Sequence, residues 1–122
     1  RDADLWMTDL KTLRSYPLTA ANSNNSESYH EWSSNGRWII FSSRRDDGVY
    51  TRPFIAHIDK NGQPSKAFEL PQEDPDFHHQ FMKSYNATIF MRGPVKTTPQ
   101  GIYDVLKNDD VTPVTYRSAS SH

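Results

Sequence analysis

Cysteine is absent from this 122-residue chain, so neither a structural disulfide nor a cysteine-ligated zinc contributes to its fold. That absence fits a reducing or an oxidising compartment equally. No excess of one charge exists either: 14 Lys and Arg against 15 Asp and Glu leave a formal net of -1, without a basic stripe. Binding to nucleic acid by phosphate neutralisation is therefore disfavoured. Long apolar runs are missing as well, and nothing approaches the ~18 residues needed to cross a bilayer. No basic-then-apolar leader is visible, and a start at Arg1 reads as that of a processed or excised segment. Apolar content is 34%, below the ~45–50% of ordinary domains once glycine is counted. What remains is about one domain with a modest core.

What the chain does contain is turn chemistry. Three of its 5 glycines follow Asn or Asp, at Asn35-Gly36, Asp47-Gly48 and Asn61-Gly62. Each pair joins a residue that tolerates positive φ to one without a Cβ, the strongest short-range signal for a tight hairpin connection. Between them lie apolar, β-rich runs at 29–33, 38–43, 54–58 and 66–70. The continuous run Trp38-Ile39-Ile40-Phe41 suits a strand covered on both faces. Pro53 lacks an N–H and belongs at the start or edge of the third strand. Four strands joined in this way predict an antiparallel meander.

Upstream, residues 5–10 read as a strand with Trp6, Thr8 and Leu10 on one face and Leu5, Met7 and Asp9 on the other. Residues 16–19 read as its hairpin partner, and the Asn- and Ser-rich stretch 21–28 as a loop. Trp6, Thr8 and Leu10 are echoed in face and spacing by Phe54, Ala56 and Ile58, a repeat distance near the ~40–50 residues of one propeller blade. Beyond Gln72 the pattern changes. Asp74-Pro75 and Thr98-Pro99 are helix starts, the first followed by Phe77 and Phe81, the second by Ile102, Val105 and Leu106. A short strand is predicted at 88–91.

The candidate chemistry is thin. His78-His79, beside Glu73, Asp74 and Asp76, is the most metal-like cluster. Adjacent helical residues point about 100° apart, however, whereas ligation from one face needs i, i+4 spacing. A solvated helix start is the favoured reading, with no metal. Asp46-Asp47-Gly48 lacks the alternating acidic pattern of a calcium loop and reads as a turn neutralised by Arg44 and Arg45. Arg44, Arg45 and Arg52 are the candidates for a basic rim that meets an acidic protein partner. Trp6, Tyr16, Tyr29, Trp32 and Trp38 read as core, with a sugar-stacking platform as the competing use. Ser33-Ser34 and Ser42-Ser43 lack the Gly-x-Ser-x-Gly elbow of a nucleophile, so catalytic residues are expected to be none. Asn24-Asn25-Ser26 and Asn86-Ala87-Thr88 match the glycosylation acceptor pattern, which matters only in a eukaryotic secretory setting.

The stretch 30–48 resembles the signature of TolB-like β-propeller repeats through Trp32, Ser33, Gly36, Arg37, Phe41 and the cluster Ser42 to Gly48. It departs from that pattern with His30 and Ser34 where the family has proline, and Asn35 where it has aspartate. Asn-Gly makes the same turn as Asp-Gly. The run from Tyr29 through Tyr85-Asn86 is similar to the last blade and C-terminal extension of the Bacteroidetes-type members. The resemblance implies an all-β partial propeller: a hairpin over 1–21 as the outer half of one blade, a complete four-stranded blade over 27–72, and an extension over 73–122 with two short helices. It further implies a non-catalytic protein-interaction module without a cofactor, in the periplasm or cell envelope, peripheral to the membrane at most. The setting is implied because the protein that gives the family its name works there with a peptidoglycan-associated lipoprotein. The alternatives it carries are an accessory propeller segment of a prolyl oligopeptidase-type hydrolase and a carbohydrate-binding propeller. One and a half blades cannot close a ring, so either a second copy of the chain or its own tail must cover the open blade face. The expectation is a homo-oligomer.

Overall fold

A computed structural model describes residues 3–107, whose regular structure is mainly strand, in two antiparallel sheets, with two short helices. The strands are β1 (Trp6–Asp9), β2 (Arg14–Pro17), β3 (Glu27–Trp32), β4 (Trp38–Ser43), β5 (Arg52–His57) and β6 (Phe68–Glu69), followed by helices α1 (Phe77–Gln80) and α2 (Pro99–Lys107). β1 and β2 form a hairpin, and β3-β4-β5-β6 form a four-stranded meander in chain order. The chain divides into two compact units, Arg1–Phe90 and Met91–His122.

Polar side chains close the turns. At 33–37, Asn35 Oδ1 accepts from the Arg37 amide at 3.1 Å and Ser33 Oγ accepts from the Trp38 amide at 3.0 Å. At 59–63, Asp59 Oδ1 accepts from the amides of Asn61 and Gln63, and the Gln63 amide first among its bonds holds this carboxyl below the usual range. The connection at Asp47-Gly48 is not the expected tight hairpin. It spans 44–51, because Asp47 Oδ1 turns inward to accept the Val49 and Tyr50 amides while the Gly48 amide bonds back to the Arg44 carbonyl.

Alternation along β4 and β5 splits the meander into two faces. Ile39, Phe41, Phe54 and Ala56 share one face and are all buried. Against it packs the inner side of the hairpin, with Leu5, Leu18 and Ala21 fully in the core and Met7 and Tyr16 beside them. The contact is pinned at its end by Tyr16, whose hydroxyl donates to the Gly62 carbonyl at 3.0 Å. Gly62 has φ +78, and a Cβ added there would collide with the Tyr16 hydroxyl. Gly36 has φ +64 and open space around it. Gly36→Ala therefore costs only left-handed backbone strain of about 1–2 kcal/mol. Gly62→Ala costs that strain and the docking contact as well, so its urea midpoint falls further than that of Gly36→Ala. Equal midpoints for the two variants would show that the turn does not bear on the hairpin.

The opposite face carries Trp38, Ile40 and Ser42, and residues 84–90 lie against it. Ser42 Oγ donates to the carbonyl of Tyr85 at 2.8 Å, the Tyr85 amide donates to the Thr51 carbonyl at 2.8 Å, and the Phe90 amide donates to Glu31 Oε2 at 2.7 Å. The short strand predicted at 88–91 does not form, since these groups bond to side chains and to a loop rather than to a sheet edge. Ile40 is buried, which bears out a β4 covered on both sides, while Trp38 and Ile55 are half-buried and Phe68 is exposed. β3 starts earlier than expected, inside the stretch read as a loop, and is interrupted by a bulge between Ser28 and Glu31.

The aromatic set expected in the core is mostly outside it. Trp6, Tyr29 and Trp32 are exposed, and Tyr16 and Trp38 are half-buried. For Trp6 the reason is register: Leu5, just before β1, and Met7 within it point inward, which turns Trp6 outward. α1 begins at Phe77, later than the Asp74-Pro75 start predicted, because Asp74 Oδ1 closes a turn on the Asp76 amide and Asp76 takes the cap position without a side-chain bond. Phe77 and Phe81 pack at 5.2 Å between ring centroids, as their spacing implies. In the second unit, α2 starts at Pro99 as expected, with Thr98 Oγ1 accepting the Gly101 amide at 3.1 Å. Its Ile102, Val105 and Leu106 are exposed.

Candidate functional site

The three arginines expected to form a basic rim have separate fates. The side chain of Arg45 lies within the fold: its Nη2 donates to the Ala21 carbonyl at 2.6 Å and to Glu27 Oε1 at 3.1 Å, and its Nε donates to Ser43 Oγ at 3.0 Å. Its guanidinium sits 4.5 Å from the Phe54 ring centroid, a cation–π distance. Arg52 is buried on the same face, where Nη1 meets Asp46 Oδ2 at 2.6 Å and Nη2 meets Asp47 Oδ2 at 3.0 Å. Its Nε is buried without a partner. So Arg52, rather than Arg44 and Arg45, neutralises the Asp46-Asp47 turn. The amides of Tyr50 and Val49, aided by Arg52, hold the Asp47 carboxyl below the usual range. Arg44 alone of the three is exposed.

Arg44 faces a polar groove of about 300 Å³ that it lines with Ser26, Ser28, Tyr29, Thr51 and Asn86. Tyr29 forms the wall between this groove and a second one, also about 300 Å³, that runs along His30, Glu31 and residues 87–89. The bulge in β3 creates this arrangement. Two residues, Tyr29 and His30, stand opposite Phe41 alone, and Tyr29 takes a positive φ of 49. A tyrosine held in that region carries a strain of order 1–3 kcal/mol. The bulge re-aims its ring away from the sheet and into solvent, where it is 64% exposed. The far side of the groove is firm, because Thr51 Oγ1 donates to Asn86 Oδ1 at 2.6 Å and the Thr51 amide donates to Ser84 Oγ at 3.3 Å.

This groove offers a guanidinium, a phenol and hydroxyls, which is a recognition surface for a polar or acidic group. It offers no nucleophile with a base. Among the described residues, the hydroxyls of Ser33, Ser42 and Ser43 bond to backbone, to Asn35 or to Glu27 or Arg45, and none bonds to a histidine. Asn24 and Asn86, the two glycosylation-pattern asparagines, are exposed.

The histidine pair sits beside β6, where the 44–51 loop approaches it through Asp46. His78 is buried, with its ring edge-on to Tyr85 at 5.0 Å and its Nδ1 2.6 Å from Glu69 Oε1. His79 is half exposed, with Nε2 3.5 Å from Glu69 Oε2. Asp46 joins them, so that Asp46, Glu69 and His79 each bring one ligand-type atom within 4.8 Å of the others. Glu73, Asp74 and Asp76 stay outside this group; Asp74 is engaged with the Asp76 amide and with Gln80 Nε2 at 3.0 Å. Neither Glu69 nor Asp46 could be paired with the histidines by spacing, since the juxtaposition arises from three separate elements. The exposed Tyr29 likewise has no local signal, because a bulge that uses a non-glycine residue leaves no mark in composition.

Compared with protein-family models, with curated proteins and with solved structures, the chain matches none of them.

Proposed function

We propose that this chain is a non-catalytic protein-interaction module of the TolB-like propeller type in the bacterial envelope, and that the Arg44–Tyr29 groove receives an acidic segment of its partner. The observation that carries the reading is the packing of the β1–β2 hairpin on the Ile39, Phe41, Phe54 and Ala56 face of an up-and-down sheet. Face-to-face stacking of four-stranded antiparallel sheets, each built from consecutive strands, is the relation between neighbouring blades of a propeller. The strained Tyr29 beside an exposed arginine supplies the recognition surface. Self-association belongs to the same reading, through the Trp38, Ile55 and Phe68 area that residues 84–90 leave uncovered.

The test is photo-crosslinking in the producing cell, with a benzophenone amino acid in place of Tyr29 and, separately, of Phe68. The Tyr29 position yields one discrete protein adduct, and Arg44→Glu reduces it by about tenfold, corresponding to ~1.4 kcal/mol for a lost charge pair. The Phe68 position yields a homodimer. A Tyr29 probe that captures nothing, or an adduct indifferent to Arg44→Glu, would remove the interaction reading; a Phe68 probe without a homodimer would remove self-association.

A second reading has a specific observation behind it: the exposed rings of Trp6, Tyr29 and Trp32 suit stacking on sugar faces. Glycan titration followed by tryptophan fluorescence decides it, and an unchanged spectrum eliminates it.

A further inference from the structure

We propose that Asp46, Glu69 and His79 bind a divalent transition-metal ion of the zinc class, which ties the 44–51 loop, β6 and α1 together. The proposal stands on the geometry of these residues and is independent of the propeller reading.

The first argument is distance. Donor atoms around a four-coordinate zinc, each about 2.0–2.2 Å from the ion, lie roughly 3.4 Å from one another. The three ligand atoms here already lie within 4.8 Å of each other, and His79 Nε2 is 3.5 Å from Glu69 Oε2. That separation is too long for a good N–H···O hydrogen bond. It matches the spacing of two ligands that share an ion, and small side-chain rotations bring Asp46 to the same distance.

The second argument is the shell around the ligands. Glu69 Oε1 is held by the buried His78 through a 2.6 Å contact, which leaves Oε2 directed at His79. Asp46 Oδ2 is held by the buried Arg52 at 2.6 Å. Outer partners of this kind fix the orientation of ligating carboxylates. Adjacent histidines cannot both ligate from one helix face, and here they do not have to. His78 orients the carboxylate and His79 ligates.

The third argument is charge. Asp46 and Asp47 share one guanidinium, Arg52, and Glu69, the third carboxylate, has only the two histidines beside it, so the group carries more carboxylates than fixed cations. The donor set selects the cation: one imidazole with two carboxylates suits zinc or nickel, whereas calcium wants six to eight oxygens. Three protein ligands leave a further position open to water, and His79, with 48% of its side chain exposed, lets the ion arrive from solvent.

Isothermal titration of zinc chloride into the full chain tests this. One site is expected, with affinity reduced at least about tenfold in His79→Ala and in Glu69→Gln. His30→Ala, which removes an exposed histidine of β3, leaves the affinity unchanged. Both His79 and Glu69 are partly exposed, and circular dichroism verifies that their variants remain folded. Calcium chloride produces no saturable heat. Three results would overturn the proposal: no zinc binding up to about 1 mM, His79→Ala binding as tightly as the parent chain, or calcium binding in preference to zinc. A His79 that acts only as an imidazolium partner of Glu69 gives the first result.

Discussion

Glu27→Ala is expected to lower the unfolding free energy by about 3–5 kcal/mol, a large share of the ~5–15 kcal/mol that a domain possesses. The side chain of Glu27 has no exposed surface. Its Oε1 accepts from Ser23 Oγ at 2.6 Å, Ser43 Oγ at 2.9 Å and Arg45 Nη2 at 3.1 Å, and its Oε2 accepts from the Ser23 amide at 3.3 Å. Removing the carboxylate strands the Arg45 guanidinium between the Phe54 ring and the Ala21 carbonyl, and it frees two hydroxyls in a buried place. The Arg45 side chain keeps 15% of its surface in water, so part of its charge can be rehydrated and the lower end of the range applies. Arg45→Ala acts on the same network. The double variant therefore costs less than the sum of the two single ones, and the difference measures the pair. Glu27→Leu with Arg45→Met, which fills the space without charge, recovers most of the loss. Urea denaturation of the parent and the four variants gives the numbers. A Glu27→Ala unfolding free energy within about 1 kcal/mol of the parent would mean that this network contributes little.

How much of this was readable in advance depends on how far each feature reaches along the chain. The strands β4 to β6 and the turns at Asn35-Gly36 and Asn61-Gly62 are local: apolar alternation and the Asn-Gly pairs decide them within a few residues, and they form near the places the pattern names, whereas the Asp47-Gly48 pair opens into a longer loop and β3 begins early. The inward residues Ile39, Phe41 and Ala56 follow from the same alternation. Arg45 shows where that reasoning stops. Its sequence neighbours, Asp46 and Asp47, are the obvious partners, yet it pairs with Glu27, on the preceding strand, because β3 and β4 bring Glu27 opposite Ser43. Arg52 then takes the two aspartates that Arg45 leaves. The outward turn of Trp6 is a similar case. A tryptophan in a β-rich run reads as core, but one residue of register decides its face, and Leu5 with Met7 wins the inward positions. The grouping of Asp46, Glu69 and His79 lies further still from sequence, since it requires a loop, an edge strand and a four-residue helix to be placed in three dimensions.

Phe41→Ala carries the other large effect, about 3–5 kcal/mol, from a fully buried ring stacked against Phe54 at 6.4 Å between centroids. Its comparison with Leu18→Ala is more informative than its size. Leu18 is equally buried but belongs to the hairpin side of the core, where its amide bonds to the Leu5 carbonyl at 2.9 Å. A two-stranded hairpin alone is marginal in water. Packed through Leu5, Leu18 and Ala21 on the meander it becomes part of one cooperative unit. Leu18→Ala, at about 2–5 kcal/mol, should then lower the stability of the meander as well as that of the hairpin. The amide resonances of Met7 in β1 and Ile40 in β4 report the two sheets separately. Both should vanish at the same urea concentration in the parent chain, and at one shared, lower concentration in each variant. If Leu18→Ala melts the Met7 signal while the Ile40 signal keeps its parental midpoint, the hairpin is a passenger. The packing of one sheet upon the other, on which the propeller reading depends, would then lose its energetic basis.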